Sequence, residues 1–237
     1  MSANNETGIK SRLSSKVRKE IKPQIYFSDI TQTIGKEDFN FAGSKIDIAA
    51  FCSHKIAGPQ GVGALVLRHG TKWETPISGG GQENGNRGGT EATILISAFG
   101  LACELKSKEL KSINSIARDV FEKELLENLE KFIIVGKSQQ RLVNTSMLII
   151  EDVSSIELVQ RLNEQDIVIS AGSACSKGGD SRVLKAMGYN ERERRSAVRI
   201  SFDTKHSKKE GLKVAKVIIE EAKKIRLENQ KELQSLF

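Results

Sequence analysis

Apolar positions change their period repeatedly along the chain, and each change predicts an element. Ile9, Leu13, Val17 and Ile21 recur every four residues and predict one face of a helix. Short apolar runs follow at 25–27 (IYF), 46–51 (IDIAAF) and 64–67 (ALVL), with the length and composition of buried strands. Residues 79–89, GGGQENGNRGG, hold six glycines in eleven positions and predict a loop whose backbone can approach another group closely. From about 91 to 130 the period is helical, with a break near 106–109 and Leu110, Ile113, Ala117 and Val120 on one face. FIIV (132–135), MLII (147–150), IVIS (167–170) and VRIS (198–201) predict further strands. Two capping boxes, Ser154-x-x-Glu157 and Ser207-x-x-Glu210, predict helix starts. The second opens a helix with the stripe Leu212, Ala215, Ile218, Ala222 and Ile225. Alternation of strand and helix to the end predicts an α/β protein. Its division falls near residue 110, giving a first domain over 1–109 and a smaller one over 110–237.

Composition narrows the class. The 237 residues are 38% hydrophobic and 28% charged, too apolar for a disordered chain and too polar for a membrane protein. No run reaches the roughly 18 apolar residues of a spanning helix, and the polar start MSANNETGIKSR lacks the layout of a signal peptide. A cytoplasmic protein with no membrane partner is expected. Lys and Arg number 37 against 30 Asp and Glu, a net +7 with pI near 9.3. The charges alternate in sign along helical stretches, and nucleic-acid motifs are missing, so the excess reads as solvated helix faces rather than a nucleic-acid surface. Cys52, Cys103 and Cys175 are odd in number and far apart, so a disulfide framework or a Cys-x-x-Cys metal site is not supported, and any cysteine chemistry is that of a free thiol.

Asp29 and Lys55 lie just beyond the ends of the first two predicted strands, on the rim where open α/β sheets bind ligands. Taken singly, Lys55 reads as a solvated charge, Asp29 as a strand-end cap, Cys175 as a small buried filler and Arg199 as half of a surface ion pair. Their surroundings change this reading. The ordered set NNETG (4–8), SDITQTIGK (28–36), SHKIAGPQGVGAL (53–65), GGGQENGNRGGTEA (79–92), SAGSACS (170–176) and AVRISF (197–202) closely resembles the cysteine desulfurases. These belong to the class V aminotransferase group of fold-type I pyridoxal-phosphate enzymes.

The resemblance implies a PLP-dependent transferase-like architecture. A partial large-domain mixed sheet flanked by helices would carry the cofactor residues, and a smaller C-terminal α+β domain the catalytic cysteine. It implies pyridoxal 5'-phosphate held covalently by Lys55, with Asp29 keeping the ring nitrogen protonated so that it can act as an electron sink. Asn5 and Gln32 match groups placed around the ring hydroxyl, Asn5 also serving the substrate, and His54 matches a phosphate-side contact. Thr90 matches a residue that reaches the phosphate of a partner subunit's cofactor, which implies a homodimer. Arg199 matches the arginine that clamps the carboxylate of L-cysteine, a bidentate task that suits guanidinium. Cys175 matches the thiol that takes the substrate's sulfur as a persulfide, releasing alanine. A sulfur-acceptor or scaffold protein would then carry the sulfur to iron-sulfur clusters or thiolated tRNA.

Some positions depart from the pattern. The chain begins at NNETG, after the section that in the family supplies a glycine-rich phosphate turn and a ring-stacking histidine. Cys52 stands where the family has a phosphate-contacting serine, and RSGT reads RGGT at 87–90. The resemblance therefore implies an uncovered sheet edge and apolar face, met by dimerisation or a complementing N-terminal chain. Two alternatives stay open beside the desulfurase: a non-catalytic truncated relative, as a remnant or a partner subunit of a split enzyme, and a selenocysteine lyase-like enzyme.

Overall fold

The computed structural model describes residues 2–11, 24–172, 181–203 and 205–235. It divides into two compact units, one of residues up to Ala3 and Lys10–Ile113, the other of Asn4–Ile9 and Asn114–Phe237. The sequence reading places residues 4–9 with the first domain. They cluster instead with the second unit, because Ile9 bridges Arg141 and the Leu142 amide donates to the Gly8 carbonyl.

The first unit holds two small sheets. Strands β1 (Ser2–Ala3) and β2 (Lys10–Ser11) pair antiparallel, so the helix expected from Ile9 does not begin there. The other helix positions of that pattern, Leu13, Val17 and Ile21, lie outside the described residues. The second sheet has the order β3 (Phe27–Asp29), β4 (Ile48–Cys52), β5 (Gly63–Leu67). β4 runs parallel to β3 and antiparallel to β5, with Asp29 opposite Ala50 and Cys52 opposite Gly63. The first two strands start two residues later than the apolar runs, because the Tyr26 amide donates to the Asp47 side chain and the Tyr26 carbonyl accepts from the Asp47 and Ile48 amides. Ile30, Ile46 and Ala49 form one small core. Ile56, Phe99 and Ala102 form another, where helix α1 (Thr93–Glu109) meets the sheet and the Phe51 and Phe99 rings touch edge to face.

The break after α1 falls at 110–115, not at 106–109. Leu110–Ser112 tighten into a 3-10 turn, Ile113 is extended, and the Asn114 side chain takes the amide of Ile116. A short amide that offers the backbone an alternative partner ends a helix. Leu110 and Ile113 therefore do not share a helical face with Ala117 and Val120.

The second unit packs helices α2 (Ile116–Asn128), α3 (Ser155–Asn163) and α6 (Lys208–Ser235) around an antiparallel sheet. Its order is β6 (Phe132–Ile134), β7 (Thr145–Ile150), β9 (Ala197–Ser201), β8 (Ser170–Ala171). Every residue of β7 is buried. Leu148 and Ile150 face α2, α3 and α6, while Met147 and Ile149 face Leu184 of α4 (Arg182–Ala186), which precedes α5 (Glu191–Arg195). A strand covered on both sides reads as a continuous apolar run, as MLII does. Gly211 lets α2 and α6 cross closely: a Cβ there would fall 2.2 Å from the Ala117 carbonyl oxygen.

Two local expectations are corrected and a third is met. Of the predicted strand at 167–170 only Ser170 pairs, together with Ala171 beyond it, since the Ile167 amide closes α3 on the Leu162 carbonyl and Val168 is exposed. Ser154 stands at the start of α3, but its side chain makes no capping bond. At the start of α6 the Ser207 amide donates to Glu210 at 2.6 Å, which is the return half of a capping box.

Candidate active site

Parallel pairing brings the carboxyl ends of β3 and β4 to the same sheet edge. Asp29 ends β3, Gln32 follows in the next turn, and His54 and Lys55 follow β4 in the 3-10 turn Ser53–Ile56. These four expected residues therefore gather at one edge of the first unit. The turn is held tightly. Ala57 adopts the left-handed region (φ 64°), the Gly58 amide donates to the Ser53 carbonyl at 3.1 Å, and the Ser53 amide donates to Val62. Ser53 and Ile56 point inward and are buried, which turns His54 and Lys55 outward. Gly35, at φ +72°, sits against Ile56, where a Cβ would lie 2.8 Å from Cγ2. The Ser53 hydroxyl is buried without a hydrogen-bond partner among the described residues, and a Cβ on Gly58 would collide with it at 2.1 Å.

The functional groups at this edge differ in engagement. Asp29 Oδ1 accepts from the Thr31 amide at 2.8 Å, and Gln32 Oε1 accepts from Lys36 Nζ. His54 Nε2 lies 3.7 Å from Cys52 Sγ. Lys55 is exposed, and its amine has no partner among the described residues. Thr90 is exposed between the glycine-rich loop and α1. In that loop Glu83 and Asn84 take left-handed φ of 49° and 55°, and Gly88 leaves no space for a Cβ against the Ser78 carbonyl.

The second unit brings Asn5 and Arg199 together. Arg199 sits in β9 opposite Met147 and Ser170. Its Nη1 donates to the Asn5 carbonyl at 2.9 Å and its Nη2 to the Ser170 hydroxyl at 3.1 Å. Nε is buried with no partner among the described residues. The guanidinium is thus oriented by two contacts while retaining Nε–H and a second N–H on each terminal nitrogen. The sequence reading missed Ser170. Its signal is the strand register, which sets the short strand's serine across from the arginine. Cys175 lies outside the described residues, which exclude 173–180.

The donor set suits pyridoxal phosphate. An unpartnered primary amine, a carboxylate, an amide and an imidazole stand at one sheet edge of the first unit. At Cys103 burial pushes the thiol above its ordinary range, which disfavours the thiolate. Among the described residues no helix is long and apolar enough to cross a membrane.

Comparison with known proteins assigns the family. The sequence profile of the family described as "Aminotransferase class-V" matches residues 1–214. A curated cysteine desulfurase of Sinorhizobium fredii is 36% identical over 234 residues, covering 95% of this chain and 60% of that protein. A cysteine desulfurase of Bradyrhizobium diazoefficiens is 37% identical over 188 residues, covering 77% and 48%. The X-ray structure of a NifS-like protein from Rickettsia africae superposes with a TM-score of 0.77 at 29% identity, covering 94% of this chain and 59% of that one. The chain belongs to the aminotransferase class-V family and has the fold of its NifS-like, pyridoxal-phosphate-dependent members. It spans about half to three-fifths of the length of these relatives.

Proposed function

We propose that the chain is a cysteine desulfurase or the major part of one, moving sulfur from L-cysteine to its own Cys175 with release of alanine. The observation that carries this reading is the exposed, unpartnered Lys55 amine at the same sheet edge as Asp29, Gln32 and His54. When bound, pyridoxal phosphate supplies the electron sink that labilises bonds at the substrate's Cα.

The chain's own residues do the rest. Lys55 Nζ would hold the cofactor and is the amine placed to move the proton at the substrate's Cα. The Asp29 carboxylate keeps a proton on the ring nitrogen. Gln32 and Asn5 serve the ring hydroxyl, His54 the phosphate side, and Thr90 the phosphate of a partner subunit. Arg199, oriented by Asn5 and Ser170, binds the substrate carboxylate with the N–H groups left to it. The Cys175 thiolate attacks the substrate sulfur. The sulfur–Cβ bond breaks, its electron pair stays with carbon, and a proton completes alanine while the enzyme keeps the persulfide. A sulfur-acceptor or scaffold protein then takes that sulfur. The cytoplasm is the compartment that fits this chemistry.

The test is a visible absorption titration of the purified chain with pyridoxal phosphate, followed by alanine release from cysteine. The expected result is a new band and alanine formation, both lost in Lys55→Ala and only the alanine lost in Cys175→Ser. An identical band in Lys55→Ala, or none in either protein, overturns the reading for this chain alone.

A second reading has its own observation. Ile94, Ala98, Leu101 and Leu105 form an exposed stripe on α1, beside the face that Phe99 and Ala102 bury. A helix apolar well beyond its buried face belongs inside a larger assembly. On this reading the chain works as one subunit, completed along α1 by a complementing polypeptide. Sedimentation of the isolated chain checks it: a monomer that acquires the absorption band on adding the complementing chain supports it. A monomer that binds cofactor and releases alanine unaided excludes it, and a homodimer split by Leu101→Lys assigns the stripe to a second copy.

A further inference from the structure

Arg199 is held at both terminal nitrogens by neutral acceptors. It donates to the Asn5 carbonyl at 2.9 Å and to the Ser170 hydroxyl at 3.1 Å, and no carboxylate among the described residues pairs with it. Neutral acceptors fix the direction of the guanidinium fork and leave its charge for an anionic ligand. Ser170 offers a rotatable side chain, whereas Asn5 offers a backbone carbonyl whose direction is that of a peptide plane. Whatever sets that plane also aims Nη1.

The peptide that joins Asn5 to Glu6 carries the Asn5 carbonyl at one edge and the Glu6 amide at the other, pointing opposite ways in one rigid trans plane. The Glu6 amide donates to Asn4 Oδ1 at 3.0 Å. That oxygen is itself fixed, since it also accepts from the Thr7 amide at 2.9 Å and the Thr7 hydroxyl at 3.1 Å. Turning the plane would break the bond to Asn4 and withdraw the carbonyl from Arg199 in one motion. The turn around it is closed by other groups. The Asn4 amide donates to the Ile9 carbonyl and the Gly8 amide to the Asn4 carbonyl, both at 2.9 Å, and the Leu142 amide donates to the Gly8 carbonyl at 2.8 Å. The Glu6 carboxylate accepts from the Ser181 hydroxyl. Arg141, bridged to Ile9, is locked to Glu122 by bonds of 2.7 and 2.9 Å. None of these anchors uses the Asn4 side chain, so its oxygen orients the inner peptides of a turn that is already clamped to the second unit.

We infer that Asn4 is a positioning residue: its side-chain oxygen fixes the Asn5–Glu6 peptide so that the Asn5 carbonyl aims Arg199 at an incoming carboxylate. Asn4 touches no reactant and acts through the peptide and the guanidinium. That the carboxylate is that of L-cysteine rests on the desulfurase reading, whereas the aim of the guanidinium does not.

The experiment uses the full chain with isotope-labelled arginine. Heteronuclear NMR follows rotation about the Arg199 Cζ–Nη1 bond without cofactor or turnover, the signals being identified by their loss in Arg199→Lys. Asn4→Ala should speed that rotation about fivefold, as freeing one ordinary hydrogen bond implies. Asn4→Asp keeps an oxygen at the same reach and should keep the parent rate. Arg141 should be unchanged in both, which separates loss of aim from loss of the turn. Thr7→Val removes another contact to the same oxygen, leaves the Glu6 amide in place and should leave Arg199 as in the parent. With pyridoxal phosphate and L-cysteine, Asn4→Ala should raise KM about fivefold with kcat unchanged. A parent-like Arg199 in Asn4→Ala, an Asn4→Asp rate equal to that of Asn4→Ala, equal loosening by Thr7→Val, or loosening of Arg141 alongside Arg199 would each overturn the inference. A faster Arg199 with an unchanged KM would overturn the aiming of substrate. Absence of alanine formation by the parent chain would remove the desulfurase reading and leave the rotation rates to decide.

Discussion

The two units bury their apolar residues to different degrees. In the second unit one continuous core runs from Phe121 and Leu125 through Leu148, Ile150 and Val198 to Ile218 and Ile225. Its exposed apolar residues, such as Ile156 and Leu227, lie on separate helices. In the first unit two small cores flank β4, and Phe27, Ile94 and Leu101 are 57%, 83% and 55% exposed. One unit is thus a closed sandwich of sheet and helices, and the other presents Lys55 on a sheet whose outer surfaces lack cover among the described residues. The contrast teaches that the second unit's fold is specified by its own packing, while the first exposes apolar surface that further burial would stabilise.

The largest effect should come from cutting the closed core. Phe121, fully buried, should cost about 3–5 kcal/mol when changed to Ala. Phe99→Ala in the first unit should cost less, because a core open on one side collapses more readily around the gap. Urea unfolding of the two variants checks this, and equal losses would erase the distinction between the units. Close backbone approaches come next. Gly211→Ala drives a methyl into the Ala117 carbonyl and should cost about 1–3 kcal/mol. Gly35→Ala meets a left-handed φ and the movable Ile56 side chain, and should cost about 1–2 kcal/mol. Thermal unfolding monitored by far-UV dichroism ranks the pair.

Acid should separate the units at a smaller scale. Arg161 on α3 pairs with Glu228 and, at 3.6 Å, with Glu221 on α6. Arg161 hydrogen bonding holds Glu228 below the ordinary carboxyl range. Burial alone would raise Glu221, but hydrogen bonds from Lys224 and Gln165 and the fields of Lys224 and Arg161 outweigh it, so its carboxyl is also depressed. A depressed carboxyl contributes stability that is complete above its unfolded value of about 4.3 and is lost as pH falls through the folded value. Hydrogen exchange in α3 and α6 should therefore accelerate below about pH 4, and Arg161→Met should remove the Glu228 share of that acid step while the Glu221 share, held by Lys224 and Gln165, stays. Exchange in β4 should not follow the same titration.

The smallest effect on stability is expected on the open face. Ile94→Lys and Leu101→Lys should each change unfolding free energy by no more than about 0.5 kcal/mol. They should instead raise solubility or abolish association measured by light scattering. A loss of several kcal/mol in the isolated chain would mean that this face is packed internally.

Legibility followed the same division. MLII was readable as a strand because both its faces are covered, and the stripe of α6 because Ala215, Ile218, Ala222 and Ile225 are all fully buried there. IVIS was misread because a short apolar run looks alike in a strand and at a helix exit, and only the hydrogen bond from Ile167 to Leu162 separates them. The helix break moved for the same kind of reason, since a competing Asn114 side chain carries no apolar signature.

Of the candidate site, the residue types and their order were determined by the sequence alone: Asp29 and Lys55 beyond strand ends, Arg199 in an alternating strand, and six motifs in one succession. Those signals are local, and local spacing is what a linear chain records. What only the tertiary structure decided were the non-local facts. β3 and β4 run parallel and so share an edge, Asn5 belongs with Arg199 in the second unit, and Ser170 and Ser181 find partners across the chain. Register, and the choice of which buried hydroxyl meets which carboxylate, depend on how segments distant in sequence pack, and packing energy has no one-dimensional trace.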